Sequence, residues 1–152
     1  MASPKSANDD MLALENQFCF ALYSTSLAMT KTYKPLLDQL GITYPQYLVM
    51  LVLWQQDDIL VKSIGEKLSL DSGTLTPLLK RLEALALVHR TRDDNDERQV
   101  RITLTRQGKL LKRKARDVPP QVICASGQSP ATLATLRGQL LAVRGDLIRS
   151  NE

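Results

Sequence analysis

The spacing of apolar residues changes abruptly at residue 87, and this change constrains the fold more than any other feature. Before it, leucines recur every three or four positions, as on one side of a helix: Leu75, Leu78, Leu79, Leu82 and Leu85. After it, LVHRTR (87–92) and QVRITLT (99–105) have the alternation of strands, with the polar stretch DDNDER between them. The pattern predicts a helix followed by a β-hairpin.

Two more helices are predicted upstream of the leucine-striped helix. Thr43 and Gln46 have the spacing of a capping box and precede the apolar run YLVMLVLW, which should be deeply buried. ILVKSIGEKLSL (59–70) predicts a short helix, and Asp71 suits the N-cap of the next. The order helix, helix, β-hairpin is that of a winged helix-turn-helix, so the predicted fold is mainly α with a small β-hairpin wing.

Long amphipathic segments flank this module. Residues 11–33 predict one long helix, after which Pro35 and Gly41 leave only the short piece PLLDQL. A last helix is expected to begin at Ser129-Pro130, and it carries an apolar stripe: Leu133, Leu136, Leu140, Val143 and Leu147. Because neither long helix has an obvious partner within one chain, we expect them to form the base of a homodimer.

Charge is distributed unevenly along the chain. The net charge is +4, but residues 80–116 hold twelve Lys and Arg against five Asp and Glu, which leaves −3 for the rest. A basic block that coincides with a predicted wing indicates a polyanionic partner, double-stranded DNA, although a solvated helix face is the simpler alternative. A two-fold dimer would suit a palindromic operator.

The expected DNA contacts lie on the second helix and the wing. Arg98 is placed at the wing tip, with Arg90 and Arg92 at the base of the wing. The residues predicted to contact DNA are Ser72, Thr74, Thr76, Lys80, Arg90 and Arg98. Pro77 interrupts the second helix, and nothing in the sequence explains it.

The apolar runs, the N-terminal sequence and the few cysteines and histidines indicate which class of protein this is. The longest apolar run is too short to span a bilayer, and MASPKSANDD (1–10) reads as a polar tail without the apolar core of a signal peptide. Two distant cysteines do not form a disulfide framework, so we expect a cytoplasmic protein with reduced thiols. They and the one histidine, His89, are too few for a zinc site, and no cofactor is expected.

Cys19 lies between two phenylalanines in NQFCFALYSTS (16–26), and composition alone leaves it either inert core or a functional thiol. Several motifs narrow this choice. The wing segment, with Asp96, Glu97 and Arg98 before VRITLT, resembles that of the MarR family of transcriptional regulators. FCFALYSTS, TYPQYLVMLVLW and LDSGTLTPLLKRLE together resemble its organic hydroperoxide regulator subfamily, over nearly the full length of the chain.

The resemblance implies roles for particular residues. Cys19 would be the peroxide sensor, and Tyr33 and Tyr44 would hydrogen-bond its thiol. Tyr33 lies fourteen residues beyond Cys19, about 21 Å along a continuous helix, so it could reach only the other subunit's Cys19 unless the helix breaks. Because Cys19 is predicted to be mid-helix, no helix dipole is expected to help its thiolate.

The residues expected to favour an organic peroxide are Phe18, Phe20, Leu22 and Met50. The resemblance also implies one MarR-type domain over residues 1–152, with dimerisation helices at about 9–40 and 106–152 and a DNA-binding core at about 43–105.

Cys124 lies in QVICASGQ (121–128), which follows Pro119-Pro120 and is expected to be loose and irregular. The resemblance to two-cysteine members implies that it resolves an oxidised Cys19 of the partner subunit as a disulfide. The chain would then be a repressor that binds DNA when reduced and is released by organic hydroperoxides.

Two other classes of function remain open from the sequence. A regulator that binds a small aromatic or phenolic ligand non-covalently would leave both cysteines incidental. A thiol hydrolase would need a base beside its nucleophile, and His89 lies in a predicted wing strand. A turnover peroxidase would usually have an α/β sheet, so we expect no enzyme.

Overall fold

The computed structural model describes residues 7–152, and most of them are helical. The elements are α1 (Ala7–Met11), a short 3-10 turn (Leu14–Asn16), α2 (Phe18–Asp38), α3 (Tyr44–Gln55), β1 (Ile59–Leu60), α4 (Val61–Leu68), α5 (Ser72–Ala84), β2 (Val88–Arg92), β3 (Val100–Leu104), α6 (Arg106–Ala115), α7 (Val118–Ser126) and α8 (Pro130–Ser150). The mainly helical fold with a β wing is confirmed. The chain forms two compact units, one ending at Arg113 and one spanning Lys114–Glu152.

The prediction of one helix over residues 11–33 is wrong at both ends. The chain leaves helical geometry after Met11, where the side-chain amides of Asn16 and Gln17 donate to the carbonyls of Asp10 and Met11. These amides satisfy helix-end carbonyls and so favour a break. Of the expected polar tail, residues 1–6 lie outside the described residues.

The helix α2 then continues through Pro35, which was expected to end it. Pro35 is exposed, so the lost hydrogen bond falls on the outer surface of the helix. The chain turns only at Gly41, which adopts the left-handed conformation with φ +70°.

The helix α3 forms the centre of the first unit. The Thr43 hydroxyl accepts from the Gln46 backbone N–H and the Gln46 side chain accepts from that of Thr43, so the predicted capping box is confirmed. The side chains that α3 buries are mainly apolar: Tyr47, Val49, Met50, Val52 and Leu53. The expectation of a deeply buried helix is confirmed.

The wing is a three-stranded antiparallel sheet in the order β1-β3-β2. The hairpin of β2 and β3 is confirmed, with Val88 opposite Leu104 and Arg92 opposite Val100. The strand β1 was not predicted, and the helix expected from Ile59 begins only at Val61. A two-residue strand has no periodicity of its own, and its backbone bonds depend on β3, which is distant in sequence.

The predicted stripe of α5 is buried except at its end. Asp71 caps the helix as expected, and Leu75, Leu78, Leu79 and Leu82 are core residues. Leu85 lies at the C-cap and is exposed, because the helix ends before it completes another turn.

The helix α6 begins in close contact with Leu87, the residue that precedes β2. Its cap Thr105 accepts from the Gly108 backbone N–H, as expected. A Cβ added at Gly108 would stand 2.2 Å from the Leu87 carbonyl oxygen. The Trp54 indole N–H donates to the Gly108 carbonyl at 2.9 Å, which ties α6 to α3.

The second unit contains an unexpected helix. Pro119 and Pro120 were expected to end a basic helix, but they occupy the first turn of α7, where a missing N–H costs nothing. The segment with Cys124 is therefore helical, and the prediction of an irregular segment is wrong. Ser129 caps α8 as expected, and α8 buries none of its residues within the chain.

Candidate functional site

The N-terminal end of α5 presents small hydroxyl side chains to solvent. The Asp71 carboxylate accepts from the Thr74 backbone N–H at 2.8 Å, and this bond lowers the pKa of Asp71. Ser72, Thr74 and Lys80 are exposed, and Thr76 is half-buried. The core leucines face the other way, so α5 has one polar face of the kind that reads DNA.

A groove of about 250 Å³ lies between this face and the wing. It brings together four of the six predicted DNA-contacting residues, namely Ser72, Thr76, Arg90 and Arg98. Lys62 also lines the groove, and the sequence pattern did not predict this because the residue belongs to α4. The spacing of Val61–Leu68 alone does not indicate that α4 turns a lysine toward the wing.

Arg98 projects from the wing loop as expected, with its side chain 90% exposed. Its Nε donates to one Asp96 carboxylate oxygen at 3.0 Å, and a terminal nitrogen donates to the other at 3.2 Å. This two-point pairing lowers the pKa of Asp96. The guanidinium is thus oriented while it remains open to solvent.

The placement of Arg90 and Arg92 at the base of the wing is wrong. Arg90 lies in the middle of β2, opposite Ile102, and Arg92 is the last strand residue before the loop. The Arg90 guanidinium lies 3.9 Å from Glu83, its Nε is buried without a hydrogen-bond partner within the described chain, and its backbone N–H donates to Glu83. Arg90 is thus held against α5 at the edge of the groove.

Arg101 makes a network of ion pairs that the sequence pattern does not predict. Its guanidinium donates to Asp93 and to Asp58, and these bonds raise its pKa. The partners are 8 and 43 residues away, so no local spacing rule could find them.

Cys19 is exposed and lies in the first turn of α2, one residue after the helix begins. The prediction of a mid-helix cysteine is therefore wrong. Gln17, at the N-cap, makes no side-chain capping bond. The positive end of the helix dipole favours negative charge at this position, which suits a thiolate.

The apolar residues expected around Cys19 separate into two groups. Phe18, Phe20 and Leu22 are exposed on α2, whereas Met50 is fully buried in the core. Met50 therefore contributes to packing of α3, and three aromatic or aliphatic side chains near Cys19 remain open to another surface.

Tyr33 and Tyr44 lie together, with ring centroids 4.9 Å apart. Tyr47, which the sequence analysis treated only as core, completes the cluster at 5.9 Å from Tyr33. Burial, reinforced by the neighbouring tyrosines, raises the pKa of Tyr33 to about 12, so its hydroxyl remains a donor at neutral pH. The helix does not break between Cys19 and Tyr33, so the two remain about 21 Å apart within one chain.

Cys124 is exposed in the last turn of α7, and both cysteines are free thiols. Its backbone carbonyl accepts from Gly127, which has φ +67° and ends the helix. The thiol is thus presented on a short ordered helix.

Large apolar side chains are exposed on both long helices. On α2 these are Phe18, Phe20, Leu22, Tyr23 and Leu27; on α8 they are Leu136, Leu140, Leu141, Val143, Leu147 and Ile148. Apolar surface of this extent on two helices is typical of a protein-protein interface.

A separate cavity of about 290 Å³ lies between the end of α2 and the start of α3. Its lining is mainly apolar, with Leu37, Ile42 and Tyr44 beside Lys34 and Asp38. Lys34 and Asp38 form an ion pair at 3.0 Å. No helix in the described part of the chain is long and apolar enough to cross a membrane.

Proteins with similar sequences are transcriptional regulators. The family described as "Transcriptional regulator SarA/Rot" matches residues 31–115. The "Organic hydroperoxide resistance transcriptional regulator" of Bacillus subtilis is 51% identical over 93% of this chain and 97% of its own.

Solved structures of AbfR are similar over most of the chain. AbfR of Staphylococcus epidermidis has a TM-score of 0.77 at 35% identity, covering 95% of this chain and 99% of its own. Reduced AbfR bound to DNA scores 0.75 at 37% identity, covering 93% and 99%. Disulfide-formed AbfR scores 0.61 at 39% identity, covering 90% and 96%. The chain belongs to the MarR-type winged-helix transcriptional regulators and, among them, to the organic hydroperoxide resistance regulators.

Proposed function

We propose that the protein is a cytoplasmic homodimeric repressor that binds operator DNA when reduced and releases it when an organic hydroperoxide oxidises Cys19. The observation that carries this proposal is an exposed thiol in the first turn of α2, in a chain whose α5 and wing form a groove lined by three cationic side chains, Lys62, Arg90 and Arg98.

The DNA-binding core would span residues of about 43–105. In it, α5 would enter the major groove with Ser72, Thr74, Thr76 and Lys80, and Arg98 would reach from the wing into the adjacent minor groove. Arg90 would contact the backbone from the edge of the groove. Reduced AbfR, which is 37% identical, was solved bound to DNA.

Residues of about 9–40 and 106–152 would form the dimer base. The exposed apolar faces of α2 and α8 support this assignment, because each would be buried by a second copy of the chain. A symmetric dimer would present two α5 helices to a palindromic operator.

The chemical step would begin at the Cys19 sulfur. The thiolate attacks the terminal peroxide oxygen, an S–O bond forms, the O–O bond breaks, and the alkoxide leaves as an alcohol after taking a proton. The Cys124 thiol of the partner subunit then attacks the sulfenic sulfur, the S–S bond forms as the S–O bond breaks, and the hydroxyl leaves as water with the proton of the thiol. AbfR has been solved with a disulfide formed, which supports such a state in this family.

The tyrosines would stabilise the Cys19 thiolate from the other subunit. Tyr33 is about 21 Å from Cys19 along its own helix, so a hydrogen bond between them requires the two copies of α2 to lie side by side. The raised pKa of Tyr33 keeps its hydroxyl protonated and able to donate. Tyr44, at 4.9 Å from Tyr33 between ring centroids, would donate beside it.

A mobility-shift assay tests this function. The probe is a duplex selected by the reduced protein from a random-sequence pool, and a shuffled duplex serves as its control. We expect cumene hydroperoxide to release the probe and dithiothreitol to restore binding, whereas Cys19→Ser should stay bound in peroxide. Release of Cys19→Ser by the same peroxide dose would contradict the proposal.

The cavity between α2 and α3 favours a second candidate function, release by a small aromatic or phenolic ligand. Its volume of about 290 Å³ and apolar lining suit one ring, and Lys34 at its edge could pair with a carboxylate. This function predicts that salicylate releases DNA from the parent protein and from Cys19→Ser equally. No effect of such ligands at millimolar concentration would exclude it.

A further inference from the structure

Arg101 connects two loops that are far apart in sequence. One terminal nitrogen of its guanidinium donates to the Asp58 backbone carbonyl at 3.0 Å and to the Asp58 carboxylate at 3.1 Å. Its Nε donates to the Asp93 carboxylate at 3.0 Å. Asp58 lies just before β1 and Asp93 begins the wing loop, so one side chain joins the body of the domain to the wing.

The contacts continue from Asp93 to the wing tip. The second carboxylate oxygen of Asp93 accepts from the Asp96 backbone N–H at 3.2 Å. Asp96 in turn accepts from the backbone N–H, the Nε and a terminal nitrogen of Arg98. An unbroken series of hydrogen bonds therefore runs from Asp58 through Arg101, Asp93 and Asp96 to the arginine at the wing tip.

Burial and geometry make Arg101 the residue on which this series depends. Asp93 is 8% exposed, and a buried carboxylate requires a charged partner. Nε and one terminal nitrogen of Arg101 are already used by the two aspartates, and its side chain is about two-thirds buried. Arg101 is thus poorly placed to contact DNA itself, unlike Arg98, whose side chain is 90% exposed.

The geometry points to Arg101 as a positioning residue for DNA binding, one that orients Arg98 through Asp93 and Asp96. This inference rests on the proposed DNA-binding function. Ordering a long exposed side chain before binding removes part of the entropy cost that binding would otherwise carry. Loss of Arg101 should therefore weaken DNA binding without removing a DNA contact.

A double-mutant cycle tests the inference on the selected duplex. We expect Arg101→Gln to lower the affinity about tenfold in the parent background and to have almost no further effect in an Arg98→Ala background. Arg101→Lys keeps the charge but lacks the planar fork that reaches both aspartates, so it should lose most of the same affinity. Thermal unfolding of each variant checks that the fold persists.

A second variant keeps the test decisive if Arg101→Gln does not fold. Asp93→Asn has the same size, but its NH₂ group must face either the Arg101 or the Asp96 donor, so one link breaks. Asp93→Asn should show the same affinity loss in the parent background and almost no loss in the Arg98→Ala background. The backbone amides of residues 94–98 should also exchange hydrogen faster than in the parent protein.

The outcomes separate the inference from the function on which it rests. No binding of the parent protein to any duplex would overturn the proposed function and the inference with it. Normal parent binding with additive losses for Arg101→Gln and Arg98→Ala would overturn the inference alone. Parent-like affinity of Arg101→Lys would also overturn it, because charge and not position would then matter.

Discussion

The positions of a few side chains determine how oxidation of Cys19 would lead to release of DNA. Cys19 is exposed at the start of α2, where the helix dipole favours an anion, and Tyr33 lies far along the same helix in a cluster with Tyr44 and Tyr47. The reactive group therefore lies at the start of α2, whereas its expected hydrogen-bond donors are Tyr33, near the other end of α2, and Tyr44, at the start of α3. A second copy of α2 in antiparallel orientation would bring them together.

Tyr33→Phe should slow the oxidation of Cys19 by cumene hydroperoxide by about tenfold, because it removes one hydrogen bond to the charged thiolate. The rate is measured by quenched-flow alkylation and mass spectrometry. The parent protein, treated in the same way, is the reference. A rate for Tyr33→Phe equal to that of the parent would limit Tyr33 to packing.

Titration of the tyrosines provides an independent check on the environment of Tyr33. Burial raises its pKa from 10.0 to about 12, so the neutral ring is favoured in the folded state. The corresponding stability is present below pH 10 and is lost as pH rises from 10 toward 12. The difference between tyrosinate absorbance curves of the parent and Tyr33→Phe should have its midpoint near 12; a midpoint at 10 would contradict this burial.

Arg98→Ala should weaken binding to the selected duplex by about 1–3 kcal/mol, because Arg98 is the exposed arginine at the wing tip. Fluorescence anisotropy at fixed salt measures the change. Arg137→Ala makes the same chemical change at an exposed arginine of α8, a helix that is not part of the DNA-binding core, and should bind like the parent. Equal effects of the two substitutions would mean that only net charge matters.

At the scale of elements, the close approach of α6 to Leu87 fixes where the wing begins, because β2 starts at the next residue. Gly108→Ala would place a Cβ 2.2 Å from the Leu87 carbonyl, and this backbone atom cannot move aside without shifting the strand. We expect a loss of about 1–3 kcal/mol in the free energy of unfolding, even though alanine favours helices. Urea denaturation compares it with Gln107→Ala, an exposed neighbour that should be neutral or slightly stabilising. A more stable Gly108→Ala would refute the close approach.

Elements whose signals are local were predicted well. Caps at Thr43, Asp71, Thr105 and Ser129 depend on residues within one turn, and all four are present. Elements that depend on distant partners were missed. The strand β1 exists only because Ile59 and Leu60 pair with β3.

In the candidate site, too, features with local sequence signals were predicted and others were not. The polar face of α5 follows from the leucine spacing, and the wing-tip position of Arg98 follows from the hairpin pattern. The predicted surroundings of both cysteines were wrong. Asn16 and Gln17 hydrogen-bond to the carbonyls of the preceding turn, so α2 begins just before Cys19. Pro119 and Pro120 lie in the first turn of α7, so Cys124 is in a helix. A proline is compatible with a helix start as well as with a break, so its position alone does not decide between them.

At the scale of the whole molecule, DNA binding should depend steeply on salt. A dimer that neutralises six or more phosphates should lose about a thousandfold or more in affinity between about 50 and 200 mM salt, because bound counterions are released. Anisotropy titrations over this range give the slope of log K against log salt. A flat slope would contradict an interface built from the basic residues of α5 and the wing.

DNA release and Cys19 oxidation can be measured in the same samples. The reduced protein, bound to its selected duplex, is titrated with cumene hydroperoxide. Each sample is split for anisotropy and for mass spectrometry of the alkylated peptides. We expect the released fraction to rise in step with the fraction of Cys19 linked to Cys124. Release while Cys19 remains a free thiol, or complete disulfide formation with the duplex still bound, would contradict it.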